Sequence, residues 1–162
     1  MRNTLIFIFI FTLTFVNAQT KKLAILDFDV LCSYVENDFY GKLASSIMTT
    51  DLQSNISSTE IMFYERELLD KILDEQDLQK SKDFDEKTAV DFGKLHGVDY
   101  VLYGEIFFLR KNEDIKCNVS AYLVNVETSQ ILLTGRGSGD SLDISQIIEN
   151  LAKKFVKGLE EL

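Results

Sequence analysis

The run Gly97 to Leu109, GVDYVLYGEIFFL, restricts the fold of this chain more than any other stretch. It is the longest apolar run after the N-terminal leader, broken past Asp99 only by Gly104 and Glu105, and it opens with a glycine that follows a helical pattern. Such a run predicts a central strand buried on both faces. The other segments then have to wrap it.

Taken in order, Leu23 to Val30 (LAILDFDV) predicts a first strand, buried where it starts and polar where it ends. Phe39, Leu43, Ile47, Leu52 and Ile56 recur at helical spacing, with Asn37 or Asp38 as N-cap. Ile61 to Tyr64 predicts a short second strand, and Glu65 to Gln76 a helix buried through Leu68, Leu69, Ile72 and Leu73. Ala89, Phe92 and Leu95 carry a third helix that stops at Gly97. Beyond the central run, Asn112 to Asp114 turns the chain into the alternating strand Ile115 to Val126, and Glu127 to Gln130 returns it as Ile131 to Gly135. Ile144, Ile147, Ile148, Leu151, Ala152, Phe155, Val156 and Leu159 form a continuous apolar stripe, and Asp143 with Gln146 resembles a capping box. The expected class is α/β: a mixed sheet in the order β-α-β-α-α-β-β-β-α, with an antiparallel meander and covering helices.

The leader MRNTLIFIFIFTLTFVNA has a basic Arg2, an apolar run from Leu5 to Val16 and a small-residue ending at Ala18. It reads as a secretory signal over residues 1–18, which leaves residues 19–162 as one domain outside the cytoplasm with no integral membrane span. Gln19 follows the cleavage point where a lipid-bearing cysteine would stand, so a lipid anchor is not expected. The chain carries a net charge of −9 at pH 7, and it shows no basic stripe interleaved with aromatics. That field repels phosphate backbones, so no nucleic-acid partner is expected. Export places Cys32 and Cys117 where a disulfide is chemically possible, although Cys117 shares the phase of buried strand positions and reads equally as a small core residue.

No catalytic constellation stands out. Asp27-x-Asp29 at a strand end resembles the first motif of the haloacid dehalogenase phosphatases, in which one carboxylate attacks phosphorus, the second handles the proton and Mg²⁺ neutralises charge. Candidate later motifs at Leu132 to Gly135 and Gly139 to Asp143 leave no room for an intervening crossover helix. A small Mg²⁺-dependent phosphatase is therefore the rival reading, and no catalytic residue, metal ligand or cofactor is assigned. His96, the one histidine, suits a surface or capping role at a helix end. Gly135-x-Gly137-x-Gly139 resembles a phosphate-cradling loop but lacks a following lysine, and a flexible loop is the expectation.

A longer pattern runs through Phe63-Tyr64-Glu65-Arg66, Leu69, Ile72-Leu73, Glu75-Gln76-x-Leu78, Ser81 and Phe84-Asp85, then Gly93-x-Leu95-x-Gly97 through Ile106, Ala121-x-Leu123 through Val126, and Ile131-Leu132. It resembles the curli-secretion-channel (CsgG) family together with its relatives, the outer-membrane lipoproteins that activate penicillin-binding proteins (LpoB). The resemblance implies a periplasm-facing, non-enzymatic α/β domain that acts by contact with an envelope or outer-membrane protein in assembly or secretion. It leaves room for a homo-oligomer, including a soluble ring-forming subunit of a secretion channel. Channel members insert long hairpins to form a barrel, whereas Arg110 to Asp114 is too short to cross an outer membrane and return. Ser129 stands where the family's β-turn usually has glycine.

Overall fold

The computed structural model describes residues 20–31, 37–57, 61–64, 85–111 and 114–161. The signal segment 1–18, Cys32 and the expected helix Glu65 to Gln76 lie outside these residues. The described elements are β1 (Lys21–Ile25), β2 (Asp29–Leu31), α1 (Asn37–Asn55), β3 (Ile61–Phe63), α2 (Glu86–His96), β4 (Tyr100–Lys111), β5 (Asp114–Asn125), β6 (Gln130–Asp140), a 3-10 turn (Ser141–Asp143) and α3 (Ile144–Leu159).

They form one six-stranded sheet in the order β3-β1-β4-β5-β6, with β2 paired to β4 beyond the end of β1. β1 runs parallel to both β3 and β4, while β4, β5 and β6 are the expected antiparallel meander. β4 is central, as its long apolar run requires. Leu102, Ile106 and Phe108 point into one core layer, and Val101 and Tyr103 into another on the opposite face. α1 and α3 close the first layer, and α2 closes the near half of the second through Ala89, Val90 and Phe92.

Several expectations need correction. The first strand is interrupted, because β1 pairs through Ile25↔Leu102 and β2 resumes at Asp29↔Glu105. One side therefore spends one residue more than the other, which is a bulge. Its cause is Phe28, whose ring lies so close to β4 that a Cβ on Gly104 would stand 2.4 Å from it. Of the expected α1 stripe, Leu52 and Ile56 are buried and Leu43 and Ile47 pack partly against the core, but Phe39 is 63% exposed, and the stripe is centred on Gly41, Ala44, Ser45 and Met48. Leu95 of α2 is likewise 64% exposed, because Val90 and Gly93 occupy the sheet-facing positions. Asp143 does not cap α3: it lies in the 3-10 turn with φ −95° and ψ 10°, outside the extended conformation that aims a capping side chain at the helix.

The expected flexible glycine loop is also absent, since Gly135, Gly137 and Gly139 lie within β6. They face α3 so closely that added Cβ atoms would meet Phe155 at 2.8 Å, Ile147 at 2.5 Å and Ile147 at 3.1 Å respectively. These positions need small residues for helix approach, and no loop is involved.

Asp85 caps α2 by accepting from the Thr88 amide at 2.8 Å, which holds its carboxyl below the ordinary range. That contribution is present above the unfolded carboxyl range and is lost as pH falls through the lowered folded value. Gly97 ends the same helix in the left-handed conformation, φ 63°, as the sequence predicts. Asp99 ties three strands together: its carboxylate accepts from the Lys22 amide at 2.8 Å and from Lys21 Nζ at 3.2 Å, and its carbonyl accepts from the Val126 amide at 2.9 Å.

Ser129, in the β5–β6 turn, is the one non-glycine residue with positive φ (55°) among the described residues. The left-handed conformation costs a serine about 1 kcal/mol, part of which a glycine would return as unfolded-state entropy. Ser129→Gly is therefore expected to raise the chemical-denaturation stability by roughly 0.5 kcal/mol. A decrease would show that the Ser129 side chain has a stabilising role of its own.

Candidate functional site

The two carboxylates of the phosphatase reading do not converge. Asp27 sits in the bulge and accepts a hydrogen bond from the hydroxyl of Ser45, a fully buried residue of α1. Val30 packs into the layer beneath α1 and α3, so its strand neighbour Asp29, paired in register with Glu105, belongs to the other face. Asp27 thus anchors a helix while Asp29 lies across the sheet, and no group of three or more metal-ligating side chains occurs among the described residues.

Three other groups with reactive side chains are also built into the fold. Tyr103 stacks on Tyr122 with ring centroids 5.2 Å apart, and burial pushes its hydroxyl up to about 12, which leaves it protonated at neutral pH. His96 rests against Phe92 at a centroid distance of 4.5 Å, at the end of α2. It packs at that helix end through its ring, where a surface or capping role is expected from the sequence.

Cys117 is completely buried, its thiol directed at the Asp140 carbonyl at 3.6 Å, and burial pushes the thiol up. The core reading of this residue holds. Cys32 lies outside the described residues, so the geometry of a pairing is not on view. A raised, buried thiol is a poor nucleophile. Iodoacetamide at pH 8 is therefore expected to leave Cys117 unmodified in the folded protein and to modify it after denaturation, read by peptide mass. Rapid labelling of the folded protein would contradict this packing.

What the sheet leaves open is a surface. Beyond the reach of α2, the far half of β4 shows Phe107 (44% exposed) and Leu109 (46%), and β2 adds Leu31 (41%), register-paired with Phe107. Across β5 and β6 the same face continues as Ser120, Asn118 and Lys116, then Arg136 and Ser138. Lys116 and Asp140 form a salt bridge at its end. Three large apolar side chains beside a polar platform make a surface suited to burying part of another protein. Sequence reasoning missed it because Phe107 and Leu109 sit in a run that reads as buried throughout.

The hairpin at the end of this face is short. β4 ends at Lys111 and β5 begins at Asp114, and the two strands pair from Tyr100↔Asn125 to Lys111↔Asp114. No membrane-crossing insertion lies between them. Among the described residues, no helix is long and apolar enough to cross a membrane.

A family model described as peptidoglycan-synthase activator LpoB matches residues 13–139. The chain belongs to the LpoB family. Of the two related groups that the motif stretch resembles, the match falls on this one. No curated protein matches the sequence. Solved structures show the same fold at low identity. The LpoB C-terminal domain from Salmonella enterica is 17% identical, with a TM-score of 0.50 over 74% of this chain and 82% of that one. A PelC dodecamer from Paraburkholderia phytofirmans is 16% identical, with a TM-score of 0.52 over 86% of this chain and 89% of that one. TolB from Acinetobacter baumannii is 18% identical at a TM-score of 0.53, covering 89% of this chain but 29% of that longer one. The mixed α/β sheet is thus the LpoB-domain fold, as the sequence implies.

Proposed function

We propose that this LpoB-family protein is an exported, non-enzymatic domain that stimulates a peptidoglycan synthase in the cell envelope by direct protein contact. The observation that carries the reading is the family match over residues 13–139, whose described function is activation of that enzyme. The structure supports it in two ways. Asp27 is engaged by Ser45 of α1 and lies apart from Asp29, and the open half of the sheet offers Leu31, Phe107 and Leu109 for burial against a partner. Residues 1–18 act as a cleaved signal and residues 19–162 are the working domain. The curli-secretion and ring-subunit readings draw on the wider family resemblance, and the two-residue separation of β4 and β5 argues against a barrel-forming channel.

The test is glycan polymerisation by a purified synthase of the same organism, with and without residues 19–162. The expected result is a faster rate that saturates with added domain; no binding and no rate change would overturn the reading. Phe107→Glu places a charge in the centre of the proposed contact. It is expected to weaken activation at least about tenfold, in line with loss of a central apolar anchor, while leaving the melting temperature nearly unchanged. Full activation by Phe107→Glu would move the contact to another surface.

A further inference from the structure

β6 is the edge strand on the long side of the sheet, eleven residues from Gln130 to Asp140, while the opposite edge, β3, has three. Its irregularity, the register shift at Leu123/Val124, lies near its start, so Leu133 to Asp140 runs regularly along β5. An edge of that length leaves a row of backbone amides and carbonyls ready to pair with another strand, and proteins usually blunt it with lysine, proline or a covering element. β6 contains neither lysine nor proline. Among the described residues, no hydrogen bond is made to its outer side.

Charge flanks this edge from both faces of the sheet. On one side, Ile147 and Leu151 of α3 meet the glycines of β6 and Gly158 meets Leu133, so Lys154 falls on the same helical row at the outer margin, with Lys157 one turn on. On the other side stands Arg136, which alternates away from the α3-facing glycines. All three are exposed, and none makes a salt bridge to a described residue. Cations lining both rims of an open edge are notable in a chain with net charge −9.

We propose that the outer edge of β6, between Leu133 and Asp140, is a strand-addition site for an extended acidic segment of a partner protein. Backbone pairing would supply the geometry, and Arg136, Lys154 and Lys157 would select carboxylates on both faces of the added strand. A second copy of the chain fits less well, because a two-fold pairing of β6 with itself would bring these cations against their own equivalents. The proposal deepens the reading above, since it rests on a domain that works by protein contact.

The test uses a synthetic ten-residue peptide alternating valine and glutamate, with a lysine-for-glutamate version as control, followed by amide NMR of the whole domain. Shifts concentrated in residues 133–140, binding of the acidic peptide at least about tenfold tighter than the control, and weakening with salt are expected. Arg136→Glu with Lys154→Glu should abolish the preference without moving the melting temperature. Equal binding of both peptides, shifts confined to the Phe107 face, no binding at millimolar peptide, or dimerisation of the protein through β6 in sedimentation would each overturn it. The peptide assay contains no synthase. Failure here with activation intact therefore removes the edge site alone, and loss of activation with peptide binding intact removes only the synthase reading.

Discussion

Phe155→Ala is expected to destabilise the domain by about 3–5 kcal/mol, a large share of the total for a domain of this size. The ring is 1% exposed, and it lies directly over Gly135, where a Cβ would stand 2.8 Å from it. That glycine decides where in the range the cost falls. A cavity is cheap when neighbours can collapse into it, but the β6 positions beneath α3 at Gly135, Gly137 and Gly139 have no side chains to move. The upper half of the range is therefore expected. A double-mutant cycle sharpens the argument, because Gly135→Ala alone should clash with the ring, whereas in the Phe155→Ala background the added methyl should fill space and recover part of the loss. Urea denaturation of the four proteins reads both effects. Additive losses, or an unchanged midpoint in Phe155→Ala, would mean that α3 presents this ring to a partner and is not held by the sheet.

The same glycines show where the sequence could and could not be read. The buried face of α3 was legible, since its apolar stripe has a single period and every member except Val156 is buried, but its expected cap at Asp143 was not. β4 was legible as central because no other segment combines its length with apolar side chains on both faces. β6 was legible only to Gly135, because a glycine on a strand face looks like a loop until the helix packed against it is known. Leu95 and Phe39 fit their helical stripes by spacing yet lie at the margins, since periodicity gives the direction of the core but not its width. Phe107 and Leu109 misled for the opposite reason: a long apolar run does not reveal that α2 covers only the near half of its second face. As for the candidate site, Asp27 was singled out by its chemistry, but its hydrogen bond from Ser45 was not legible, because that partner is eighteen positions away on α1. The β6 edge could not be seen at all, being a property of strand order.

Gly41→Ala should reverse the sign that helix propensity predicts. In the interior of an exposed helix, replacing glycine by alanine gains about 1 kcal/mol. Gly41 is different, because α1 crosses the bulge there and a Cβ would stand 2.2 Å from the Phe28 carbonyl oxygen. Relief requires moving backbone that is fixed on several sides. The Phe28 amide donates to the Gly41 carbonyl at 3.4 Å, the Leu26 amide donates to the Leu102 carbonyl at 2.9 Å, and the Phe28 ring is pressed against Gly104 of β4. Ser45, one turn along α1, also donates to Asp27 on the same bulge, so the helix cannot lift at Gly41 without pulling on that bond. Overpacking against backbone held this way is expected to cost about 3 kcal/mol net, at the upper end of such substitutions, where propensity alone would stabilise. Ser46→Ala serves as the control: the side chain is exposed on the same helix, and the substitution should gain a few tenths of a kcal/mol. If thermal denaturation shows both alanines stabilising, the contact between α1 and the bulge is loose, and the interruption of the first strand must have another cause than Phe28 being clamped between two glycines.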